Sequence, residues 1–193
     1  MIKDRTRLLF KGIAEIVGGD GMGAITLTDT DEKRVLCIVC DSQMKQQIGM
    51  RNSLDFKTRG RLLPEVLTTM LATSIGMERY EIEIYDLVNG EYMTMITDKE
   101  DLSQYRIRLS DAILLTLVYP VPLYISNELM RKQSAPYAPG TDKLAIPLNA
   151  LDTDKLKEEL KRAVESENYR LASYINEELR KRQDMKDNTT KDL

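Results

Sequence analysis

The sequence predicts an α+β fold, with helices packed on a twisted, mostly antiparallel or mixed sheet and a helical hairpin at the C-terminal end. Short segments with apolar residues at every second position recur before residue 133, which is the period of half-buried strands. Between and after them the apolar spacing changes to three and four, which is the period of amphipathic helices. With 42% hydrophobic and 31% charged residues, the chain can fill a core and cover it with charge.

Charge and hydropathy exclude several classes of protein. The net charge of −3 provides no chain-wide basic field, so any binding of nucleic acid must come from a local patch. The apolar runs are far shorter than the roughly 20 residues that span a bilayer, and residues 1–10 lack a cleavable apolar segment. We therefore expect a cytoplasmic protein without a membrane partner, and its two cysteines fit a reducing compartment.

The residues available for chemistry are limited because the chain contains no histidine. This excludes Ser-His-Asp and Cys-His triads and His-ligated zinc, and leaves carboxylates, Lys, Arg, Tyr, Ser, Thr or a carboxylate-bound metal. Cys37 and Cys40 match the C-x-x-C pattern, but residues three apart on a strand point to opposite faces. We interpret them as core cysteines.

The N-terminal third reads as a β-meander. A β-compatible run over 5–17 ends in the glycine-rich stretch 18–23, and 24–28 alternates as a second strand, which makes the glycines a hairpin turn. Residues 29–33 form another turn that leads into a buried strand over 35–39.

Two helices are predicted next. The first is short and covers 42–50, and the second covers 62–75 with apolar residues spaced at three and four. Pro64 fits the first helical turn, where a missing N–H costs little, and Gly76 is a stop signal.

A hairpin and a short strand follow. Residues 80–85 alternate as a half-buried strand, and 92–96 return as its partner. Asn89-Gly90 between them favours a type I′ turn, because both positions need positive φ angles. Residues 105–108 are predicted as a short strand.

The junction from Arg108 to Asp111 admits two interpretations. In the first, Ser110 caps a helix over 112–118, Asp111 favours its dipole and Arg108 reaches out to solvent. In the second, a cation, a hydroxyl and a carboxylate converge on a ligand at the start of the helix. A strand over 122–125 and a helix capped by Ser126 and ending near Gln133 complete the domain.

Composition divides the chain into a domain over 1–133, a linker over 134–150, a helical hairpin over 151–183 and a disordered tail over 184–193. Asp152 caps the first hairpin helix, and a break falls near Asn168. The narrow apolar stripe of the hairpin requires the main domain, a second copy or another protein as its partner. The residues predicted to bind that partner are Leu156, Leu160, Ile175 and Leu179.

Basic residues cluster between the two predicted helices near Glu65, with Asp55 as the only acid among them. Such a cluster can hold phosphate, and it is also compatible with ordinary surface charge. Its members are Arg51, Lys57, Arg59 and Arg61.

Two segments resemble known families. The hairpin with Asn89-Gly90, the helix start Arg108-Leu-Ser-Asp-Ala-Ile and the segment Val121-Pro-Leu-Tyr-Ile resemble the bacterial bifunctional nuclease family, a likeness that extends more weakly over 6–133. Residues 154–183, with Glu-Asn-Tyr-Arg-Leu-Ala at their centre, are similar to the UVR motif, a helical hairpin through which excision-repair subunits recognise each other.

The first resemblance implies a nuclease that hydrolyses phosphodiester bonds of DNA or RNA. It implies that Asp111 and Glu65 hold a divalent metal (Mg or Mn) or position water, and that Arg108 stabilises the phosphate charge, while the basic cluster binds the backbone. The family's Arg-Pro-Ser-Asp is Arg108-Leu-Ser-Asp here, and its Thr-His-Asp is Leu63-Pro-Glu. The alternative is a non-catalytic adaptor that forms a homo-oligomer and binds a protein partner through the UVR-like hairpin.

Overall fold

The structure, a computed structural model, describes residues 4–16, 21–52, 62–138 and 147–189. The chain forms two compact units. The first comprises Met1–Asp86 and Tyr92–Ala145, and the second comprises Leu87–Glu91 and Ile146–Leu193.

The first unit contains most of a mixed eight-stranded sheet and four helices among the described residues. The strands are β1 (Arg5–Glu15), β2 (Gly23–Asp29), β3 (Arg34–Cys40), β4 (Tyr80–Val88), β5 (Glu91–Asp98), β6 (Gln104–Arg108), β7 (Leu123–Ser126) and β8 (Ala135–Pro136). The helices are α1 (Ser42–Asn52), α2 (Leu63–Ile75), α3 (Leu109–Val118) and α4 (Asn127–Gln133). The predicted α+β fold is confirmed.

The strand order is β6-β5-β4-β7-β1-β2-β3-β8. Strands β1, β2 and β3 pair antiparallel in sequence order, so the predicted meander is confirmed. Strand β7 runs antiparallel to β1 and parallel to β4, and thereby joins the meander to the β4–β5–β6 half of the sheet. Ile25, Leu27, Leu36, Ile82 and Ile84 are among the fully buried side chains of these strands, which places the core on the sheet.

Local signals in the sequence account for the turns and helix ends. Asn89 and Gly90 adopt φ angles of 53° and 85°, so the predicted positive φ angles of the β4–β5 turn are confirmed. Pro64 lies in the first turn of α2, and Gly76, with φ of 76°, caps the end of that helix. Ser126 Oγ accepts a hydrogen bond from Leu129 N at 3.3 Å and caps α4 as expected.

Two segments contain secondary structure that was not predicted from the sequence. Ala135 and Pro136, at the start of the predicted linker, pair with β3, and Tyr137 N donates to Lys33 O at 2.9 Å. Two residues are too few to show a period, so this strand has no sequence signature. The last helix extends to Thr189, past Asp184 where we expected order to end, because no Gly or Pro interrupts it.

The second unit contains the hairpin of α5 (Thr153–Glu165) and α6 (Tyr169–Thr189). Asp152 Oδ1 accepts from Lys155 N at 2.8 Å, so the predicted cap is confirmed. The break near Asn168 is also confirmed, and Glu167 turns the chain with φ of 56°. Arg182 is buried and donates to the carbonyl oxygens of Leu151 and Asn149, which ties α6 to the preceding turn.

The hairpin is held together by an apolar seam between its helices. Leu156 and Ile175 are fully buried there, together with Ala163 and Ala172. Leu160 and Leu179 pack against the same cluster and are partly buried. The stripe predicted to bind a partner therefore forms the internal contact of the hairpin.

We expect Ile175→Ala to destabilise the hairpin by about 2–5 kcal/mol, because it leaves a cavity in the seam. Amide hydrogen exchange across α5 and α6 of the full chain measures the loss. The matched control is Val164→Ala, which shortens a half-exposed side chain of α5 and should leave protection unchanged. Equal protection in both variants would contradict the seam.

Candidate functional site

The start of α3 places a guanidinium and a carboxylate side by side at the surface. Arg108 Nε lies 2.7 Å from Asp111 Oδ2, and Arg108 Nη2 lies 3.2 Å from Asp111 Oδ1, so the pair is bidentate. The Arg108 side chain is 70% exposed and that of Asp111 34%. The hydrogen bond and charge of Asp111 raise the pKa of Arg108 above its ordinary value. The pair remains accessible to a ligand.

A second carboxylate, that of Asp41, acts on this pair through its charge. Asp41 follows β3 directly, and its Oδ1 accepts a hydrogen bond from Met44 N at 2.7 Å, which caps α1. Asp41 is close enough to Arg108 for its charge to contribute to the raised pKa of that guanidinium. Helix α1 packs against α3. We call Asp41, Arg108 and Asp111 the helix-start cluster.

Asp41 is not among the residues predicted from the sequence. An acid between a buried strand and a helical segment is a common N-cap, so the sequence did contain a signal for its position. The cap predicted at Ser110 was wrong, because α3 begins at Leu109, two residues earlier than that cap requires. Arg108 occupies the cap position without a side-chain cap hydrogen bond, and Ser110 lies inside the helix.

Glu65 is engaged elsewhere. Arg51 Nε lies 2.7 Å from Glu65 Oε1, and Arg51 Nη2 donates to Glu65 Oε2 at 3.1 Å. The side chains are 1% and 12% exposed, and Arg51 Nη1 also donates to Gln47 Oε1 at 2.7 Å. Among the described residues, no hydrogen bond or ion pair joins Glu65 to Arg108 or Asp111. The structure thus joins two of the three predicted catalytic residues and gives Glu65 a buried cationic partner.

Of the predicted basic cluster, only Arg51 lies within the described residues. Arg51 is buried in its pair with Glu65, so its guanidinium does not face solvent as a phosphate ligand. Lys57, Arg59 and Arg61 lie outside the described residues. Their role in binding nucleic acid stays a prediction.

The side chains that could act as metal ligands limit how a metal ion could bind. The described part of the chain holds no group of three or more His, Cys, Asp or Glu side chains suited to a metal ion. Magnesium usually keeps several waters and takes one or two protein carboxylates together with substrate phosphate oxygens. Asp111, a partly exposed carboxylate at the start of α3, is the type of ligand that this second arrangement requires.

Three further observations concern membrane spans, the two cysteines and the exposed side chains of the hairpin. No described helix is both long and apolar enough to cross a membrane. Cys37 and Cys40 are buried, as expected for core cysteines, and burial raises the pKa of Cys37. On the hairpin, the exposed apolar side chains are Val164, Tyr169 and Tyr174, with Arg170 lying 6.0 Å from the Tyr174 ring centre.

Comparison with known proteins assigns the first unit. The family model described as "Bifunctional nuclease domain" matches residues 25–138, which is more than half of the chain. The match includes α1, α2, α3 and all of the helix-start cluster. A search of curated proteins found no significant match.

We expect Glu65→Gln to lower the free energy of unfolding by about 3–5 kcal/mol, because it leaves the Arg51 charge buried without a counter-charge. Urea denaturation of the full chain measures the change. Glu128→Gln is the control, since it removes the acid of an exposed pair with Lys132 and should leave the midpoint unchanged. A Glu65→Gln protein of unaltered stability that loses a chemical activity would instead assign Glu65 to the chemistry.

Proposed function

This chain belongs to the bifunctional nuclease domain family, and from that premise we propose that it hydrolyses phosphodiester bonds of DNA or RNA at the helix-start cluster. The observation that carries the proposal is the exposed bidentate pair of Arg108 and Asp111 at the start of α3. Family membership supports handling of nucleic acid, and the pair supplies an accessible cation and acid, to which Asp41 adds a second negative charge.

Arg108 binds the phosphate in this proposal. A guanidinium has five N–H donors in a planar fork, and two of them, at Nε and Nη2, are used by Asp111. The remaining donors can contact phosphate oxygens and stabilise the negative charge that develops as the bond breaks. Because the ion pair with Asp111 is exposed, little free energy opposes its rearrangement around a substrate.

The carboxylates orient water and balance charge. Together with Arg108 they give the cluster a formal charge of −1 at neutral pH, which repels a phosphodiester unless a cation is present. A bound Mg²⁺ or Mn²⁺ would offset that charge and supply a water of lowered pKa. Asp111, held in register by Arg108, accepts the proton of an attacking water, while Asp41 keeps one oxygen on the α1 backbone.

Binding of a protein partner through the hairpin is a second candidate function. The observation that favours it is the exposed set of Val164, Tyr169 and Tyr174 outside the buried seam. Aromatic side chains that are exposed in a free protein are frequent anchors of interfaces. In this reading the hairpin is UVR-like, and its seam residues act indirectly, by keeping the two helices together. Cys37 and Cys40 are buried and not joined by a disulfide, which supports a reducing cytoplasm as the location for either role.

We expect Asp111→Asn to reduce cleavage of single- and double-stranded DNA and RNA by at least about 100-fold, because the amide neither accepts the proton nor balances Arg108. Chelation by EDTA should abolish cleavage, and Mg²⁺ or Mn²⁺ should restore it. Gel-based cleavage assays with purified full-length protein measure both effects.

The control for this assay is Asp31→Asn, which removes an exposed turn carboxylate paired with Lys33 and should leave cleavage intact. Full activity of Asp111→Asn would remove Asp111 from the mechanism. Cleavage that persists in EDTA would contradict the metal requirement.

For the second candidate function, we expect the double variant Tyr169→Ala and Tyr174→Ala to lower recovery of protein partners on the immobilised full-length chain, since both rings are exposed. Pull-down followed by mass spectrometry measures the recovery. Lys157→Ala, which truncates an exposed side chain of α5, is the control and should retain the partners. Recovery that is the same for all three proteins would argue against the hairpin as a docking surface.

A further inference from the structure

Helix α2 carries its apolar residues on the side that faces solvent. Leu63 and Met70 are 69% and 61% exposed, and Val66, Leu67 and Leu71 are exposed as well. Their spacing of three and four puts all five on one face, which we call the α2 stripe. The opposite face holds Thr68, which is buried, and Glu65, which pairs with Arg51. The helix is therefore polar towards the protein and apolar towards water.

The hydroxyl groups beside the α2 stripe are already hydrogen-bonded within the helix. Thr69 Oγ1 donates to Glu65 O at 2.8 Å, Thr73 Oγ1 to Thr69 O at 2.8 Å, and Ser74 Oγ to Met70 O at 2.9 Å. A hydroxyl that has a partner in its own backbone loses little when water is removed. Covering this face consequently gains the burial of apolar area and leaves few polar groups unsatisfied.

We propose that the α2 stripe is the interface through which two copies of this chain form a homodimer. The stripe contains no charged residue, and the one acid of α2 is held by Arg51, so two copies can meet without charge repulsion. The same lack of charge gives a strongly acidic or basic partner nothing complementary to bind. Helices that bind lipid surfaces typically carry Lys and Arg on their polar face, and α2 has none.

The geometry suits a helix-to-helix contact, and the residues that flank the stripe must supply the rest of the buried area. Residues at positions i, i+3, i+4, i+7 and i+8 form the kind of ridge that packs into the groove of an identical helix related by a two-fold axis. The exposed part of the five side chains is on the order of 500 Å² per copy, against about 800 Å² per partner in stable complexes. Thr69, Thr73 and Ser74 flank the stripe and add the methyl and methylene surface around it.

The test is the oligomeric state of the full-length protein by analytical ultracentrifugation. We expect the wild type to sediment at twice the chain mass and Leu67→Glu to sediment as a monomer, because the substitution puts two like charges into the contact. Leu102→Glu is the control, since Leu102 is an even more exposed leucine (72%, against 48% for Leu67) of the first unit outside α2 and its variant should remain a dimer. Circular dichroism establishes that all three proteins are folded.

A second variant gives a positive signal. Met70 lies on the centre line of the stripe and is 61% exposed, so Met70→Cys should form a disulfide-linked dimer on mild oxidation, whereas Leu102→Cys should not. Cys37 and Cys40 are buried and do not compete.

Three outcomes would overturn the homodimer. The first is a wild type that stays monomeric at all concentrations. The second is a dimer that survives Leu67→Glu and gives no Met70→Cys linkage, which places the interface elsewhere. The third is a monomer that sediments with phosphatidylglycerol vesicles through α2, which assigns the stripe to a lipid surface.

Discussion

Strand β7 is only four residues long, yet the sheet of the first unit depends on it. It pairs antiparallel with β1 at Arg5–Leu8 and parallel with β4 at Ile82–Ile84, and its Leu123 and Ile125 are buried. Two parallel neighbours need a crossover connection, and here that connection runs through β5, β6 and α3. Pairing of β7 therefore fixes where α3 lies and, with it, the side chains of Arg108 and Asp111. A substitution that removes apolar packing of this strand would therefore displace the helix-start cluster, although none of the cluster's own residues is substituted.

Two arginines of the first unit illustrate how burial decides what an ion pair can do. Arg51 is enclosed with Glu65 and Gln47, and removal of any partner leaves a charge or a polar group without compensation. Arg108 makes an equally short bond to Asp111, but water screens it, so the pair can be exchanged for contacts with a ligand at small cost. An arginine paired with a carboxylate thus holds α1 and α2 together when it is buried, and remains accessible to a ligand when it is exposed.

Much of the fold could be predicted from local patterns. The meander, the Asn89-Gly90 turn, the Pro64 and Gly76 signals and the Asp152 cap all depend on residues close in the sequence, and each is found in the structure. Periodicity shows that α2 and the hairpin helices are amphipathic, but it does not say what covers the apolar side. The apolar faces of the two hairpin helices cover each other, with Leu156 and Ile175 in the seam between them. The α2 stripe is instead exposed in the single chain.

The candidate site was harder to predict, because its parts come from distant segments. Arg108 and Asp111 are three residues apart, and their pairing follows from helical geometry. The placement of Asp41 depends on α1 packing against α3, a contact that spacing does not encode. The likeness of Glu65 to a catalytic acid rested on sequence alone, and its buried partner Arg51 emerges only from the tertiary structure.

The two edges of the sheet have a consequence for how the protein behaves when it is concentrated. On one side the terminal strand is β8, two residues long and ending in Pro136, which has no N–H to offer to another strand. On the other side the terminal strand is β6, which is short and ends in Arg106-Ile-Arg108 with both cations exposed. Neither edge strand is a good template for strand addition, so the described sheet should resist edge-to-edge aggregation at high concentration.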